Sequence, residues 1–365
     1  LDNLILKHDL KIIKKYLNIY NNLINLKKNI LRVKYSKNKI FINGTGELYI
    51  DENSKNFIKF QINKNKNKTN FETFLNLDNL SLIVDDLSYK KLKDEKATLQ
   101  IKGFESKEKL FFKNINYEQD NNKIDINNLV ISKNKILSIN KISFNYLTKN
   151  NFKNKITLVK KNKNYELTGS GFDITQLVEN ISNSETDKNY FRIFENLNSK
   201  IAIVIDKVKL DESTNIMNLN GNLIIKNSEI FDLNLNSDFN NNEKLFVSIK
   251  TKKDNSVYTT FYSDRAKPFV KKYKFIKGFE GGNIDYTSIK KNNVSRSKLI
   301  IDNFKVNEVP VLAKILTLAS LQGIADLLTG EGVRFTDFEM IYSKKGGSLI
   351  IDEIYAIGPA ISLMI

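Results

Sequence analysis

Apolar and polar residues alternate along residues 217–261, and this two-residue period strongly limits what the chain can fold into. One parity carries the apolar side chains of three successive runs: Leu219, Leu223 and Ile225, then Leu233 and Leu235, then Val247 and Ile249. Asparagines and charged residues dominate the other parity, and clusters of Asn, Lys and Asp separate the runs. Successive strand side chains point to opposite faces, so the pattern predicts antiparallel hairpins with one apolar and one solvated face.

The same alternation begins near residue 31 and recurs along much of the chain. In one early run the residues that share a face are Ile40, Ile42, Gly44, Gly46, Leu48 and Ile50. We therefore predict a mainly β fold built around a long antiparallel sheet with a few short helices. Either two such sheets pack face to face as a sandwich, or one long curved sheet leaves its apolar face partly open as a groove.

A spacing of three and four residues predicts an entry helix within residues 1–30, because it places one apolar face on a helix. The residues with this spacing are Leu10, Ile13, Leu17, Tyr20 and Ile24. We expect further helices near residues 172–181, 266–275 and 310–329. The remaining chain is divided into a β-groove segment, 31–165, and a C-terminal β segment, 166–365.

The boundary near residue 165 rests on a change of pattern at Gly169-Ser170-Gly171. We interpret this tripeptide as a strand-to-helix turn. A dinucleotide-binding loop would need a third glycine at position 174, where the chain has the bulky Ile174, and no phosphate-loop lysine is present.

The helix predicted at 310–329 is apolar on most of its surface. Pro310 suits a first helical turn and Gly330 a position just past a helix end. It is interpreted as a membrane span, as a core helix, or as a helix at the mouth of the groove, and Lys314, Gln322 and Asp326 count against the span. Its apolar residues are Leu312, Ile315, Leu316, Leu318, Leu321, Ile324, Leu327 and Leu328.

The net charge of +17 raises the possibility of nucleic-acid binding. The 58 basic residues, however, include only 5 arginines and therefore 53 lysines, and the forked guanidinium is the group that recognises phosphates and bases best. The lysines are scattered among asparagines, as in residues 63–70. This composition is typical of codon bias, with the lysines and asparagines on a solvated face. No nucleic-acid partner is therefore predicted.

The residues available for chemistry predict a protein that is not an enzyme. The chain has no cysteine, and His8 is its single histidine, which leaves little for a triad or a histidine metal site. The acidic pairs Asp85-Asp86 and Asp211-Glu212 fall in expected turns and lack the spacing of a calcium loop. We predict no catalytic residue, no cofactor and no metal site.

The C-terminal third combines features that resemble the AsmA superfamily, particularly its YhdP-like branch. A short helical segment at 268–275 precedes Gly281-Gly282, taken as a hairpin, and a strand that ends in Phe304. The apolar helix, a Gly-Glu-Gly turn and a hairpin that closes on Gly358-Pro359-Ala360 follow. The match is best from about residue 260 to 365, weaker from 165 to 260, and faint before that.

This resemblance implies a non-enzymatic, periplasmic lipid-transfer protein of a bacterial envelope. Phospholipid acyl chains would move along an apolar groove between the inner and outer membranes and so contribute to outer-membrane integrity. The groove candidates are the seven apolar residues of 219–249 named above. The resemblance also implies an N-terminal inner-membrane anchor, and the start at Leu1 rather than Met leads us to expect a fragment that lacks it.

Two other classes of function remain open from the sequence. A structural or assembly scaffold for outer-membrane biogenesis would use the same sheet with a fully packed interior. A surface module for nucleic acid or another anionic polymer would use the positive charge, and its affinity would fall steeply with salt.

Overall fold

The computed structural model describes residues 3–7, 23–50, 54–176, 194–270, 278–307, 332–346, 348–359 and 362–364. Strands account for 73% of these residues, which confirms the predicted mainly β fold. Helical structure in the described ranges is limited to the 3-10 helix Asp85–Leu87, the helix Lys267–Val270 and two helical residues, Thr175 and Gln176. The described residues thus supply few helices that could pack on the sheet.

The chain forms two compact units. The first contains Leu1–Leu177, Asn189–Ser199 and Asn227–Glu229, and the second contains Val178–Lys188, Lys200–Lys226 and Ile230–Ile365. The predicted boundary at residue 165 lies inside a strand of the first unit, so the segment 31–165 stops short of the end of that unit.

The first unit is an antiparallel sheet. Its strands are β1 Asn3–Lys7, β2 Leu23–Ser36, β3 Lys39–Tyr49, β4 Lys55–Lys64, β5 Thr69–Asn76, β6 Leu82–Val84, β7 Tyr89–Lys91, β8 Thr98–Ser106, β9 Lys109–Gln119, β10 Asn122–Ser132, β11 Lys135–Ser138, β12 Lys141–Leu147, β13 Lys153–Lys161 and β14 Asn164–Asp173. Neighbours follow the order β1-β2-β3-β4-β5-β8-β9-β10-β12-β13-β14, and β11 also pairs with β10. Strands β6 and β7 form a separate hairpin in the chain segment that connects β5 to β8.

The second unit continues in the same style. Its strands are β15 Ser199–Lys209, β16 Asn215–Lys226, β17 Glu229–Asp238, β18 Lys244–Thr251, β19 Val257–Ser263, β20 Phe279–Lys291, β21 Val294–Val306, β22 Val333–Lys345, β23 Ser348–Ile357 and β24 Ser362–Met364. The first residues of β15 and β17, Ser199 and Glu229, belong to the first unit. From β17 to β24 each strand pairs antiparallel with the next. Asparagines make several of the turns, such as Asn292 and Asn293 with φ of 49° and 61°, because Asn tolerates the left-handed region.

The predicted entry helix is wrong at both ends of residues 1–30. Residues 3–7 form β1, which pairs with β2 from Asn3 opposite Lys27 to Lys7 opposite Leu23. Leu26 is buried opposite Leu48 of β3, and such cross-strand packing outweighs a local helical spacing. Residues 8–22, which include His8, lie outside the described residues.

Gly169-Ser170-Gly171 lies inside β14 and is not the strand-to-helix turn expected from the sequence. The register with β13 shifts between Lys155 and Ile156 at this point. A β-carbon on Gly171 would lie 2.5 Å from the Lys153 carbonyl oxygen, and one on Gly169 would lie 2.7 Å from Cγ2 of Ile156. The glycines are present because the neighbouring strand approaches too closely for side chains.

Gly281-Gly282 lies within β20 and is not a hairpin turn. Both residues have a positive φ, +74° and +76°, which glycine adopts without strain. The Gly282 carbonyl accepts a hydrogen bond from the backbone N–H of Ala266 at 2.7 Å. The pair therefore bends the start of β20 to hold the chain just before the helix Lys267–Val270.

The predicted helices fall only partly on described residues. Asp173 ends β14, and its Oδ1 accepts a hydrogen bond from the Thr175 backbone N–H at 3.0 Å, as at a helix start. Residues 177–193 lie outside the described residues, as do 271–277. The apolar helix predicted at 310–329, with its eight named apolar residues, also lies entirely outside them.

Candidate apolar binding surface

One row of aliphatic side chains crosses the sheet of the first unit without a break in register. Cross-strand pairs share a face, so the pairings of six strands place six residues in line. These residues, called here the first apolar row, are Ile101, Ile115, Ile126, Ile142, Leu158 and Leu167. The line continues from Ile101 through Thr73 of β5 to Phe60 of β4.

Every member of the first apolar row is only half-buried. Because neighbouring strands lie about 4.8 Å apart, five steps give the row a length of about 24 Å. An acyl chain in one leaflet spans about 15 Å, half of a bilayer's hydrocarbon core. The row is therefore long enough to contact a whole acyl chain.

A cap formed by residues 77–97 covers the neighbouring row of the same face. Its buried core is Leu77, Leu80, Tyr89, Ala97, Tyr117 and Tyr146, with Leu75, Leu99, Ile124 and Phe144 packed against it. Those last four residues belong to the row beside the first apolar row, because Leu75, Leu99, Tyr117, Ile124 and Phe144 are successive cross-strand partners. The cap thus covers the row that lies beside the first apolar row.

The cap is held by polar contacts beneath it. Tyr89 Oη lies 2.8 Å from Tyr117 Oη and also donates to Gln119 Oε1, while Tyr146 Oη donates to the Leu87 carbonyl at 2.7 Å. Burial raises the pKa of Tyr117 and of Tyr146 to about 12, and burial together with the Tyr117 hydrogen bond raises the pKa of Tyr89 further. These phenols are therefore neutral hydrogen-bonding groups.

A buried lysine fixes the fold of the cap itself. Lys91 Nζ donates to the backbone carbonyls of Asp78, Leu80 and Leu92 at 3.0, 2.8 and 2.9 Å. The residue is 1% exposed, and burial lowers the pKa of its ammonium group. The single Lys91 side chain thus links the beginning of the cap, at Asp78 and Leu80, to Leu92 further along it.

Aromatic rings border the first apolar row on its other side. Phe71 of β5 and Phe112 of β9 meet across Gly103 of β8, with ring centroids 5.8 Å apart. A β-carbon on Gly103 would lie 2.9 Å from Cζ of Phe71. The glycine therefore lets rings from two non-adjacent strands close this edge of the apolar surface.

The second unit carries a comparable row. Seven consecutive strands, β17 to β23, align the half-buried residues Leu235, Val247, Phe261, Tyr286, Leu299, Met340 and Ile354, called here the second apolar row. The helix Lys267–Val270 covers the adjoining row, which includes Ile284 and Ile301, and Phe269 of that helix meets Phe261 edge-on with centroids 4.6 Å apart. Each unit thus has one covered row beside one half-buried row.

The seven groove candidates lie on β16, β17 and β18. Leu233 is opposite Ile249 and Leu235 opposite Val247, so these four share one face. In β16, Leu223 and Ile225 are buried at 9% and 1% exposure and Leu219 is half-buried; β16 lies beside β17, since Ser237 Oγ donates to the Met217 carbonyl at 2.7 Å. Ile225 therefore belongs to a packed part of the unit.

The row that begins at Leu233 and Ile249 does not stay apolar. Its next members are Thr259, Ser288 and Ser297, and Ser297 Oγ donates to Ser288 Oγ at 2.9 Å. A polar step of this kind breaks the apolar surface. Leu233 and Ile249 thus form one end of a short patch, whereas Leu235 and Val247 belong to the full second apolar row.

The other face of the first unit is largely polar. A depression of about 650 Å³ lies among strands β4, β5, β8 and β9, and its lining also includes Phe60, Thr73 and Ile101 from the line of the first apolar row. The other lining residues are Phe57, Lys59, Gln61, Glu72, Phe74, Gln100, Lys102, Asn114 and Asn116. Lys102 Nζ lies 3.2 Å from Glu72 Oε2, and both groups are more than half exposed. This face is a solvated surface with locally paired charges and is the opposite side of the strands that carry the first apolar row.

The acidic pairs keep the turn roles expected from the sequence. Asp85 and Asp86 begin the 3-10 helix between β6 and β7. Asp211 Oδ1 accepts hydrogen bonds from the backbone N–H groups of Ser213 and Thr214 at 2.7 and 2.8 Å. Across the described residues, no group of three or more His, Asp or Glu side chains is arranged to hold a metal ion.

Comparison with protein-family models, with curated proteins and with solved structures returned no significant match. The protein is mainly β, and each of its two units presents one half-buried apolar row. Within the described ranges no helix is long and apolar enough to cross a membrane.

Sequence reasoning located the second row in part and missed the first. The run "NINYEQ" at 114–119 and the run "KIDIN" at 123–127 do alternate, which is the signal that marks Ile115 and Ile126. The cap was also missed, because Tyr89, Tyr117 and Tyr146 come from distant segments and meet only in the folded unit.

Proposed function

We propose that this protein is a non-enzymatic conduit for the acyl chains of phospholipids. The observation that carries the proposal is the first apolar row: six aligned aliphatic side chains, all half-buried, beside a row that the cap seals. A surface of this kind offers apolar contact along its length and needs no catalytic group. The second apolar row supplies the same surface in the second unit.

The physical gain is large relative to what the surface must provide. Each CH₂ removed from water contributes about 0.8 kcal/mol, so a 16-carbon chain in water costs roughly 12 kcal/mol. A continuous row lowers that barrier in small steps, because a chain that shifts by one strand loses contact with one residue and gains it with the next. The headgroup remains in water.

The resemblance to the AsmA superfamily supports a place for this conduit. It favours the periplasm of a bacterial envelope, with phospholipid passing between inner and outer membranes to maintain outer-membrane integrity. The curved groove and the apolar helix near residues 310–329 are part of this proposal.

A scaffold for outer-membrane assembly is the second candidate. The polar step at Thr259, Ser288 and Ser297 favours it, because an uninterrupted apolar surface there would suit lipid better. Under this alternative the interior is fully packed with no continuous apolar channel, and the purified chain carries no lipid.

The test introduces a carboxylate into each apolar row and, as a control, a carboxylate on the opposite face of the same strand. Ile126→Asp and Val247→Asp alter the rows, and Asn127→Asp and Ser248→Asp are matched controls one residue away on the opposite face. Mass spectrometry of lipid retained by the periplasmically expressed, folded protein is the measurement. Stoichiometric phospholipid in the wild type and both controls, with loss in the row variants, is expected.

A second measurement covers the case in which a row variant fails to fold. A photo-crosslinking residue at position 126 is expected to capture phospholipid, whereas one at position 127 is not. Equal capture at the two positions, or a folded wild-type protein without lipid, would contradict the conduit proposal and favour the scaffold.

A further inference from the structure

Among the residues that the structure describes, β2 has a strand on one side only over most of its length. β1 pairs with β2 only from Leu23 to Lys27, so among the described residues the stretch 30–36 has a strand neighbour, β3, on one side only. Its apolar side chains are strongly exposed: Ile30 at 66%, Val33 at 60% and Tyr35 at 77%. Arg32 and Lys34 lie between them, which makes this edge basic.

Within the described ranges, β23 also has a strand on one side only over most of its length. β24 pairs only with residues 355–357, and over 348–354 the strand partner in the described part of the chain is β22 alone. Leu349, Ile350 and Ile351 are exposed at 54%, 58% and 49%. Asp352 and Glu353 follow them, which makes this edge acidic.

We propose that β2 of one copy pairs edge to edge with β23 of a second copy. Unpaired N–H and C=O groups on an edge strand are a template for another strand, and both edges add exposed apolar side chains that such pairing would cover. The opposite charges select the partner. Two β2 edges would bring Arg32 and Lys34 together, and two β23 edges would bring Asp352 and Glu353 together.

The contact is heterologous, since the two edges belong to different surfaces. Repetition of such a contact gives rings or open chains of copies rather than a closed two-fold dimer. The proposal does not depend on lipid binding, so its outcome and that of the proposed function are independent.

Sedimentation of the full chain over a range of protein concentration and salt tests the proposal. The average mass is expected to rise with concentration and to fall at high salt. The variants Arg32→Glu/Lys34→Glu and Asp352→Lys/Glu353→Lys each carry two edges of like charge. Each is expected to associate at least about tenfold more weakly, because like charges would face each other across the new strand pair.

Mixing the two variants is the decisive step. One then has two acidic edges and the other two basic edges, so an equimolar mixture is expected to associate as the wild type does. Circular dichroism checks that each variant is folded, and Ile351→Pro blocks the β23 edge without a charge reversal. A wild type that stays monomeric at all concentrations, or association that survives both reversals, or a mixture that does not recover, overturns the proposal.

Discussion

The ring of Phe60 in β4 occupies the space above Gly44 in β3 where a β-carbon would otherwise lie. The two residues are directly opposite each other in the register, so the ring covers the backbone of the neighbouring strand. Glycine inside a strand is normally unfavourable. Here it allows a bulky ring to extend the line of the first apolar row by way of Thr73.

Gly44→Ala is expected to destabilise the protein by about 1–3 kcal/mol, because the new methyl group forces the Phe60 ring or the strand to move. Urea unfolding measures the change in free energy. In a Phe60→Leu background the same substitution should cost clearly less. An equal cost in both backgrounds would show that the ring is not the cause.

The sequence predicted the faces of single strands better than the alignment of many. Leu235 and Val247 were assigned to one face from parity alone, and the register places them opposite each other. In the first unit the register shifts between Lys102 and Gly103 and between Lys155 and Ile156. Each shift adds a residue to one strand, so parity counted along the chain no longer tells which residues share a face.

The cap and the strand at residues 23–30 could not be predicted from local sequence patterns for a different reason. Tyr89 is buried only because Tyr117 and Tyr146 are brought to it by strands that follow later in the chain. Likewise Leu26 is placed in a strand by its partner Leu48. In both cases long-range packing decides the structure, and a single sequence carries no direct record of it.

Tyr89→Phe is expected to lower the stability of the cap by about 1–3 kcal/mol, since Tyr117 and Gln119 would keep buried polar groups with one partner fewer. Hydrogen exchange of residues 77–97 measures the effect, with faster exchange there than in β20–β22. Tyr258→Phe is a suitable control, because Tyr258 lies in the second unit and only half-buried. Unchanged exchange in the cap would contradict the role assigned to the Tyr89 hydroxyl.

Lys91→Met is expected to cost about 1–3 kcal/mol, because the carbonyls of Asp78, Leu80 and Leu92 lose their common donor in a buried site. Lys90→Met is the matched control on the same strand, where the side chain is exposed, and its effect should stay within about 0.5 kcal/mol. Denaturant midpoints and limited proteolysis of residues 77–97 report the result. Equal midpoints for the two variants would mean that the carbonyls find other donors.

Asp337→Asn is expected to stabilise the protein at pH 7 by about 0.2–1 kcal/mol, because Asp337 lies directly opposite Asp302. Burial, and then the carboxylates of Asp337 and Asp285, raise the pKa of Asp302 above its usual value of 3.8. A raised carboxyl pKa destabilises the folded state above that pKa, and the penalty disappears as the pH falls below the unfolded value.

Unfolding free energies from pH 7 to pH 3 therefore provide the check on Asp337→Asn. The advantage of the variant should shrink toward zero at the acid end, where Asp302 is protonated and no longer carries a charge to repel. Asp352→Asn serves for comparison, since Asp352 Oδ2 accepts from Ser343 Oγ at 2.9 Å rather than facing a carboxylate. A gain that is independent of pH would rule out charge repulsion as its source.

Because each strand contributes one side chain to an apolar row, the length of the row grows with the number of consecutive strands that place an apolar residue at that position. Insertion of one hairpin would lengthen it by two strands, or about 10 Å, and leave its chemistry unchanged. Duplication of a hairpin could thus lengthen the apolar row during evolution without a change to the residues already in it.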